Sequence, residues 1–172
     1  MTTTAIEQTT AAPTRWALDS EKTSVEFAVK TLWGLSTVHG RFDRLEGSYQ
    51  VGPDETTIEL IVDADSLDTG NRTRDKHLRS ADFFHIPQHP QLRFTSTRVH
   101  EVTDGILHVV GRLEAAGRSV TLEFPATVRT VADGLEIEAT TTLDQQELGM
   151  SSGTLGMIRR PVTLHVKARL GR

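Results

Sequence analysis

Cysteine is absent from this chain of 172 residues, which removes disulfides, thiolate catalysis and cysteine-ligated zinc or iron–sulfur centres. Long apolar runs are missing as well: no stretch approaches the roughly 18 residues a membrane-spanning helix needs. There is no basic surplus either. Lys and Arg number 19 against 23 Asp and Glu, a formal net charge of −4, whereas a nucleic-acid-binding domain is strongly basic. Met1 to Arg15 is rich in Thr and Ala and lacks the apolar segment of a secretory signal. Residues 1–14 therefore read as a disordered tail ahead of one domain, 15–172, in a cytoplasmic protein large enough to bury a core without staples. Aromatics make up only 5% of the chain, and Phe supplies 6 of them beside 2 Trp and 1 Tyr.

What is present is period-two alternation. Val25, Phe27 and Val29 share one face of a run. Ile58, Leu60, Val62 and Ala64 do so in a second, and Leu92 and Phe94 begin a third that continues through Val102. Asp104-Gly105 supplies a tight hairpin turn, and the run Ile106 to Ala115 pairs back. Beyond Ala116-Gly117-Arg118 lies Ser119 to Val131; Asp133-Gly134 signals another hairpin before Leu135 to Leu143, and Val162 to Leu170 closes the series. With short strands near Trp16 and through Gly47 to Val51, about eight or nine strands emerge. Only Thr73 to Phe84 has room for a helical turn or two, with Ser80 or Asp82 as cap. Successive hairpins with one apolar face each must close to hide their edges. An all-β antiparallel barrel of up-and-down type is the expected closure, with a sandwich as the alternative.

Few residues suggest chemistry. Gly149-Met150-Ser151-Ser152-Gly153 fits the G-x-S-x-G string, but a nucleophile elbow needs a strand–turn–helix followed by an acid and a His. No Asp or Glu follows Glu147, and His165 falls in a strand run; the string reads as a loop of small residues. His77, His85 and His89, with Asp75 and Asp82 nearby, would suit a zinc or iron site, but Pro87 and Pro90 forbid a regular helix there. They read as loop histidines, and no metal is expected. Arg72, Arg74, Lys76 and Arg79 surround Asp75, either as a solvated loop or as a mouth for a polar head group. Trp33, Leu35, Phe83, Phe84, Met150 and Met157 occupy connections too apolar for solvent. Those connections either plug the barrel ends or line the opening of a cavity, since an eight-stranded barrel can fill with side chains or hold one small ligand.

The segment Arg74-Asp75-Lys76-His77-Leu78-Arg79-Ser80-Ala81-Asp82-Phe83-Phe84 resembles the signature of the YceI-like proteins. The preceding Asp65-Ser66-Leu67-Asp68-Thr69 and the following His89-Pro90-Gln91-Leu92-Arg93-Phe94-Thr95-Ser96-Thr97 are similar to that family too. So are Val38-His39-Gly40-Arg41-Phe42, Val110-Gly111-Arg112-Leu113 and Val120-Thr121-Leu122. The likeness covers about residues 16 to 170. Where many relatives carry a His after the second strand, this chain has Lys30-Thr31, so a head-group role for that His does not carry over.

The resemblance implies an eight-stranded lipocalin-like antiparallel β-barrel with a short helical segment in the 66–90 connection. It implies non-enzymatic binding, transport or storage of a long amphiphile, an isoprenoid quinone or related polyisoprenoid, with no cofactor beyond such a lipid. Its implied partners are a long-chain isoprenoid or fatty amphiphile, transient membrane contact and a homodimer, with no nucleic acid. On that reading Phe27, Val29, Trp33, Leu35, Phe42, Phe84 and Phe94 form the cavity wall, and Arg74, Asp75 and His77 serve the mouth or the packing of the signature turn. The competing readings are an enzyme or metal-dependent protein acting on a similar amphiphile, and a filled barrel used as an interaction module. The scarcity of aromatics favours a hollow interior, because walls of Val, Leu, Ile and Ala with a few rings leave room inside.

Overall fold

The computed structural model describes residues 12–31, 36–150 and 161–172. Eleven strand segments appear: β1 (Thr14–Leu18), β2 (Ser24–Thr31), β3 (Ser36–Phe42), β4 (Leu45–Val51), β5 (Thr56–Asp63), β6 (Leu67–Asp68), β7 (Gln91–Thr103), β8 (Ile106–Ala115), β9 (Arg118–Val131), β10 (Gly134–Asp144) and β11 (Pro161–Gly171). One helix, α1 (Arg72–Leu78), lies in the connection from β6 to β7.

The eleven segments make an eight-stranded ring. β1 and β2 both pair with β11, at Leu18↔Leu170 and Phe27↔Leu164, so they are one strand interrupted by the 3-10 turn Ser20–Lys22. β3 and β4 pair with β2 and β1 respectively, and Asp43-Arg44 joins them as a second interrupted strand. β5 and β6 pair with β4 and β3, interrupted at Ala64–Ser66. β7 to β11 follow as an uninterrupted antiparallel meander. The β1–β11 pairing closes the circle, and closure abolishes the free edges a meander would leave.

The expected alternation decides which side chains enter the ring. Along β8, Leu107 and Val109 are buried at 4% and 0% exposure, and along β10 the inward series is Ile137, Ala139, Thr141 and Leu143. The helix is bounded differently from the sequence expectation. It starts at Arg72, and its N-cap is Asn71, whose Oδ1 accepts the Arg74 N–H at 3.0 Å. Asn caps by satisfying an otherwise unpaired N–H of the first turn. Ser80 and Asp82 lie beyond the helix, and the Ser80 hydroxyl donates to the His77 carbonyl instead.

Buried side chains form two clusters. The larger centres on Val109, Leu122, Ala126, Ile137 and Leu170. The smaller holds Val25, Phe27, Phe42, Leu45, Val62 and Leu67 near α1.

Candidate functional site

A cavity lies inside the ring and is lined from both clusters, from Phe27, Phe42 and Val62 on one side to Leu122, Ile137 and Leu170 on the other. Its volume is about 180 Å³, counted as space open to the centre of a water molecule, many times the roughly 10–15 Å³ that one water requires. The lining is Val, Leu, Ile, Ala and Phe with very few polar residues. Among the described residues no Lys, Arg, Asp or His belongs to it, and the one acidic residue there, Glu59, is held by Arg93 at 2.5 Å. An apolar void of this kind excludes water and favours a hydrocarbon.

Two strand glycines create room for the rings that frame the cavity. Phe27 faces Gly40 on the neighbouring strand, and a Cβ there would overlap its ring. Phe94 lies against Gly111 in the same way. Each ring therefore lies back on its neighbour strand instead of filling the interior. Phe27 and Phe42 have centroids 5.7 Å apart, and Phe84 meets Phe42 edge-on at 6.0 Å. The Phe84 N–H donates to the Leu78 carbonyl at 3.0 Å, so the end of α1 carries that ring to the cavity. Phe94 and Phe124 pair similarly at 5.6 Å.

At the opposite end of the ring from α1, Trp16 and Tyr49 are cross-strand partners with centroids 5.6 Å apart. Tyr49 is buried and lines the cavity; burial, then the negative charge of Glu101, push its phenol above the usual tyrosine value. At the helix end, Leu148, Met150 and Gln145 line it, the last two at 6% and 8% exposure.

The sequence-expected wall residues separate into three groups. Phe27, Phe42, Phe84 and Phe94 line the cavity. Val29 packs against the smaller cluster without reaching the lining. Trp33 and Leu35 lie outside the described residues, as do Ser151 to Gly153 of the G-x-S-x-G string.

Arg74, Asp75 and His77 do not line the cavity. Asp75 is buried, and its Oδ1 accepts both the N–H and the hydroxyl of Thr69, at 3.0 and 2.6 Å. Arg74 donates to the Thr69 hydroxyl and carbonyl at 2.8 and 2.9 Å. Arg79 reaches the Asp65 carboxylate and the carbonyls of Asp65 and Leu67 at 2.7 to 2.9 Å. These three residues fasten α1 to the stretch 65–69. His77 is exposed, edge-on to Phe83 at 5.0 Å and 3.7 Å from the Asp82 carboxylate. His85 and His89 rings lie 5.7 Å apart, and no group of three or more His, Asp or Glu at metal-ligand spacing occurs among the described residues.

Sequence reading missed Gln145 and Tyr49 as lining residues. The signal for Gln145 was the inward series Ile137, Ala139, Thr141, Leu143, which reaches position 145 in one further step.

The sequence model of the family described as YceI-like domain matches residues 16–170. A UPF0312 protein of Yersinia enterocolitica is 37% identical over 108 residues, covering 60% of this chain and 55% of that protein. The chain spans about half the length of the relatives it matches in sequence. Among solved structures, BcnA of Burkholderia cenocepacia superposes with a TM-score of 0.80 at 17% identity, over 90% of this chain and 99% of that one. A polyisoprenoid binding domain from Saccharophagus degradans superposes with a TM-score of 0.70 at 16% identity, over 90% and 97%. At these identities the structural likeness concerns the fold.

Proposed function

The chain belongs to the YceI-like domain family, and from that premise we propose that it binds and carries a long-chain isoprenoid amphiphile, such as an isoprenoid quinone, inside its barrel without catalysing a reaction on it. One observation carries this reading: the interior is a void of about 180 Å³ with an almost wholly apolar lining, where a filled interaction module would hold packed side chains. Each buried CH₂ contributes about 0.8 kcal/mol gross, so a five-carbon unit adds about 4 kcal/mol before costs. Even at about 0.3 kcal/mol per heavy atom, a tail of several such units binds tightly. A tail binder of this kind needs a dry, shaped channel more than a constellation of acids and bases. The relative from Saccharophagus degradans is described as a polyisoprenoid binding domain, which supports the same class of ligand.

Organic-solvent extraction of the purified protein, followed by mass spectrometry, tests the proposal. The expected result is one long-chain lipid per chain. Protein that is empty, and that also takes up neither a quinone nor a polyprenol, would overturn it.

A further inference from the structure

Resting on the reading that the barrel carries an amphiphile, we infer that residues 65–89 form one rigid flap that opens the helix end of the cavity, with Phe84 as its plug and the β3–β6 pairing as its latch. The excursion leaves the ring at Asp63 and returns at Gln91, and its two ends stay together. Asp63 and Gln91 are ladder partners, and the Ala64 N–H donates to the Pro90 carbonyl at 2.9 Å. Beside this neck the His89 ring lies on Gly117 of the β8–β9 turn, so closely that a Cβ there would overlap it. The neck is therefore the fixed part.

Between its ends the excursion is bonded to itself. The outgoing leg is tied to α1, since Arg79 donates to the carbonyls of Asp65 and Leu67 and Asp75 holds Thr69. The returning leg is tied there too: the N–H groups of Phe84, His85 and Ile86 donate to the carbonyls of Leu78, Ser80 and Arg79 at 3.0, 2.9 and 3.2 Å. A segment bonded in this way opens as a cooperative unit and not residue by residue. Its hold on the ring beyond the neck is slighter. β6 pairs with β3 at two positions, Arg41↔Asp68 and Phe42↔Leu67. An exposed ion pair between Arg41 and Asp68 at 3.2 Å and the Asp43 N–H donating to the Ser66 hydroxyl at 3.1 Å accompany them, and exposed pairs add little.

The latch lies where the cavity would open. Phe42 belongs to the ring and Phe84 to the excursion, both line the cavity, and their rings meet edge-on at 6.0 Å. Releasing β6 from β3 parts those two rings. Leu67, 2% exposed in the smaller cluster, comes out with the flap, so the open form is scarce and the closed form dry. Ligand entry then follows the usual behaviour of a lid, in which opening sets the rate and the closed state sets the affinity.

The chain has no cysteine, so an introduced pair forms the sole disulfide. Arg41→Cys with Asp68→Cys joins directly opposed positions of β3 and β6, within the Cα separation that a disulfide spans. Geranylgeraniol is offered to the full chain stripped of lipid, and uptake is timed by rapid gel filtration and mass spectrometry. Oxidation should slow uptake at least about tenfold, and reduction should return it to within about twofold of wild type. Glu138→Cys with Lys167→Cys, across β10 and β11, should give one rate in both redox states. Equal rates in both states of the 41–68 pair overturn the inference, as does slowing by the 138–167 cross-link in its place. Hydrogen exchange of the wild-type protein is the second measurement. Protected amides of 65–89 should exchange together, faster than those of β8 to β10, and should slow when lipid is bound. Exchange of α1 independently of 65–69 overturns the flap. If wild-type protein takes up no probe, the amphiphile reading fails, and the exchange pattern still decides the flap.

Discussion

The connection between β5 and β7 and the interior of the ring use polar groups in opposite ways. Between residues 65 and 79, Arg74, Asp75 and Arg79 are committed to groups of 65–69, and Oδ1 of the buried Asp75 accepts two hydrogen bonds from Thr69. Along the cavity wall, polar residues are few, and Val, Leu, Ile, Ala and Phe make up most of the lining. The most distinctive sequence segment is therefore a fastening, whereas ligand capacity resides in ordinary Val, Leu, Ala and Phe. A conspicuous motif marks where a fold needs specific geometry, and an apolar binding surface needs only shape and dryness.

Breaking the fastening should produce the largest effect. Asp75→Ala removes the acceptor of the Thr69 N–H and of its hydroxyl proton at a half-buried position and should cost about 1–3 kcal/mol in a denaturant titration. Lipid bound per folded molecule should stay unchanged; a loss of lipid without a loss of stability would move Asp75 into the site. The wall should behave in the reverse way. Ala126→Phe, at a 3% exposed position on the lining, should lower tail uptake about tenfold while shifting stability by no more than about 1–2 kcal/mol, because the ring enters a void. Gly40→Ala makes a subtler version of the same change. The new methyl group drives the Phe27 ring inward, so tail affinity should fall several-fold, roughly 1 kcal/mol, and a crystal structure should show the ring displaced.

The smallest expected effect belongs to the outer surface. Hydrogen bonds from Arg44 to Asp63, from Lys22 to Asp133 and from Arg129 to Glu136 hold these three carboxyls below the usual carboxylate range. A depressed folded-state value means that the stabilisation is complete above the ordinary range. It then fades as pH falls from about 4 through the lowered values. Stability measured from pH 7 to pH 2 should be flat at first and then decline, and Glu136→Gln should make the decline shallower. An unchanged slope would show that the Arg129 pair contributes nothing. Lipid uptake at pH 5 should equal that at pH 7, since these groups lie outside the lining.

Much of the fold was legible because alternation and turn chemistry act locally. Asp104-Gly105 and Asp133-Gly134 sit at the tight connections expected, with Gly105 at φ 72° and Gly134 at φ 152°. The interruptions at Ser20–Lys22 and Asp43-Arg44 were not legible, because the pairing that shows two segments to be one strand is supplied by the distant β11 and β1. Of the site, Phe27, Phe42, Phe84 and Phe94 could be found from their phase or their apolar connection. Val29 shares the phase of Phe27 yet stops short of the lining, so phase alone does not fix depth. Charge could not assign Arg74 and Asp75, since a solvated loop, a mouth and a fastening all need the same residues. Only the position of Thr69 separates them.

The ring is closed by its first strand lying against its last, Leu18 beside Leu170. Contacts so distant along the chain give a slow search during folding, and β11 leaves the ribosome after every other strand. Its long edges pair with β10 on one side and with β2 on the other, so the last strand is also the one that joins the two halves of the wall. Refolding with and without lipid, followed by stopped-flow fluorescence of Trp16 beside the closing seam, would time that last event.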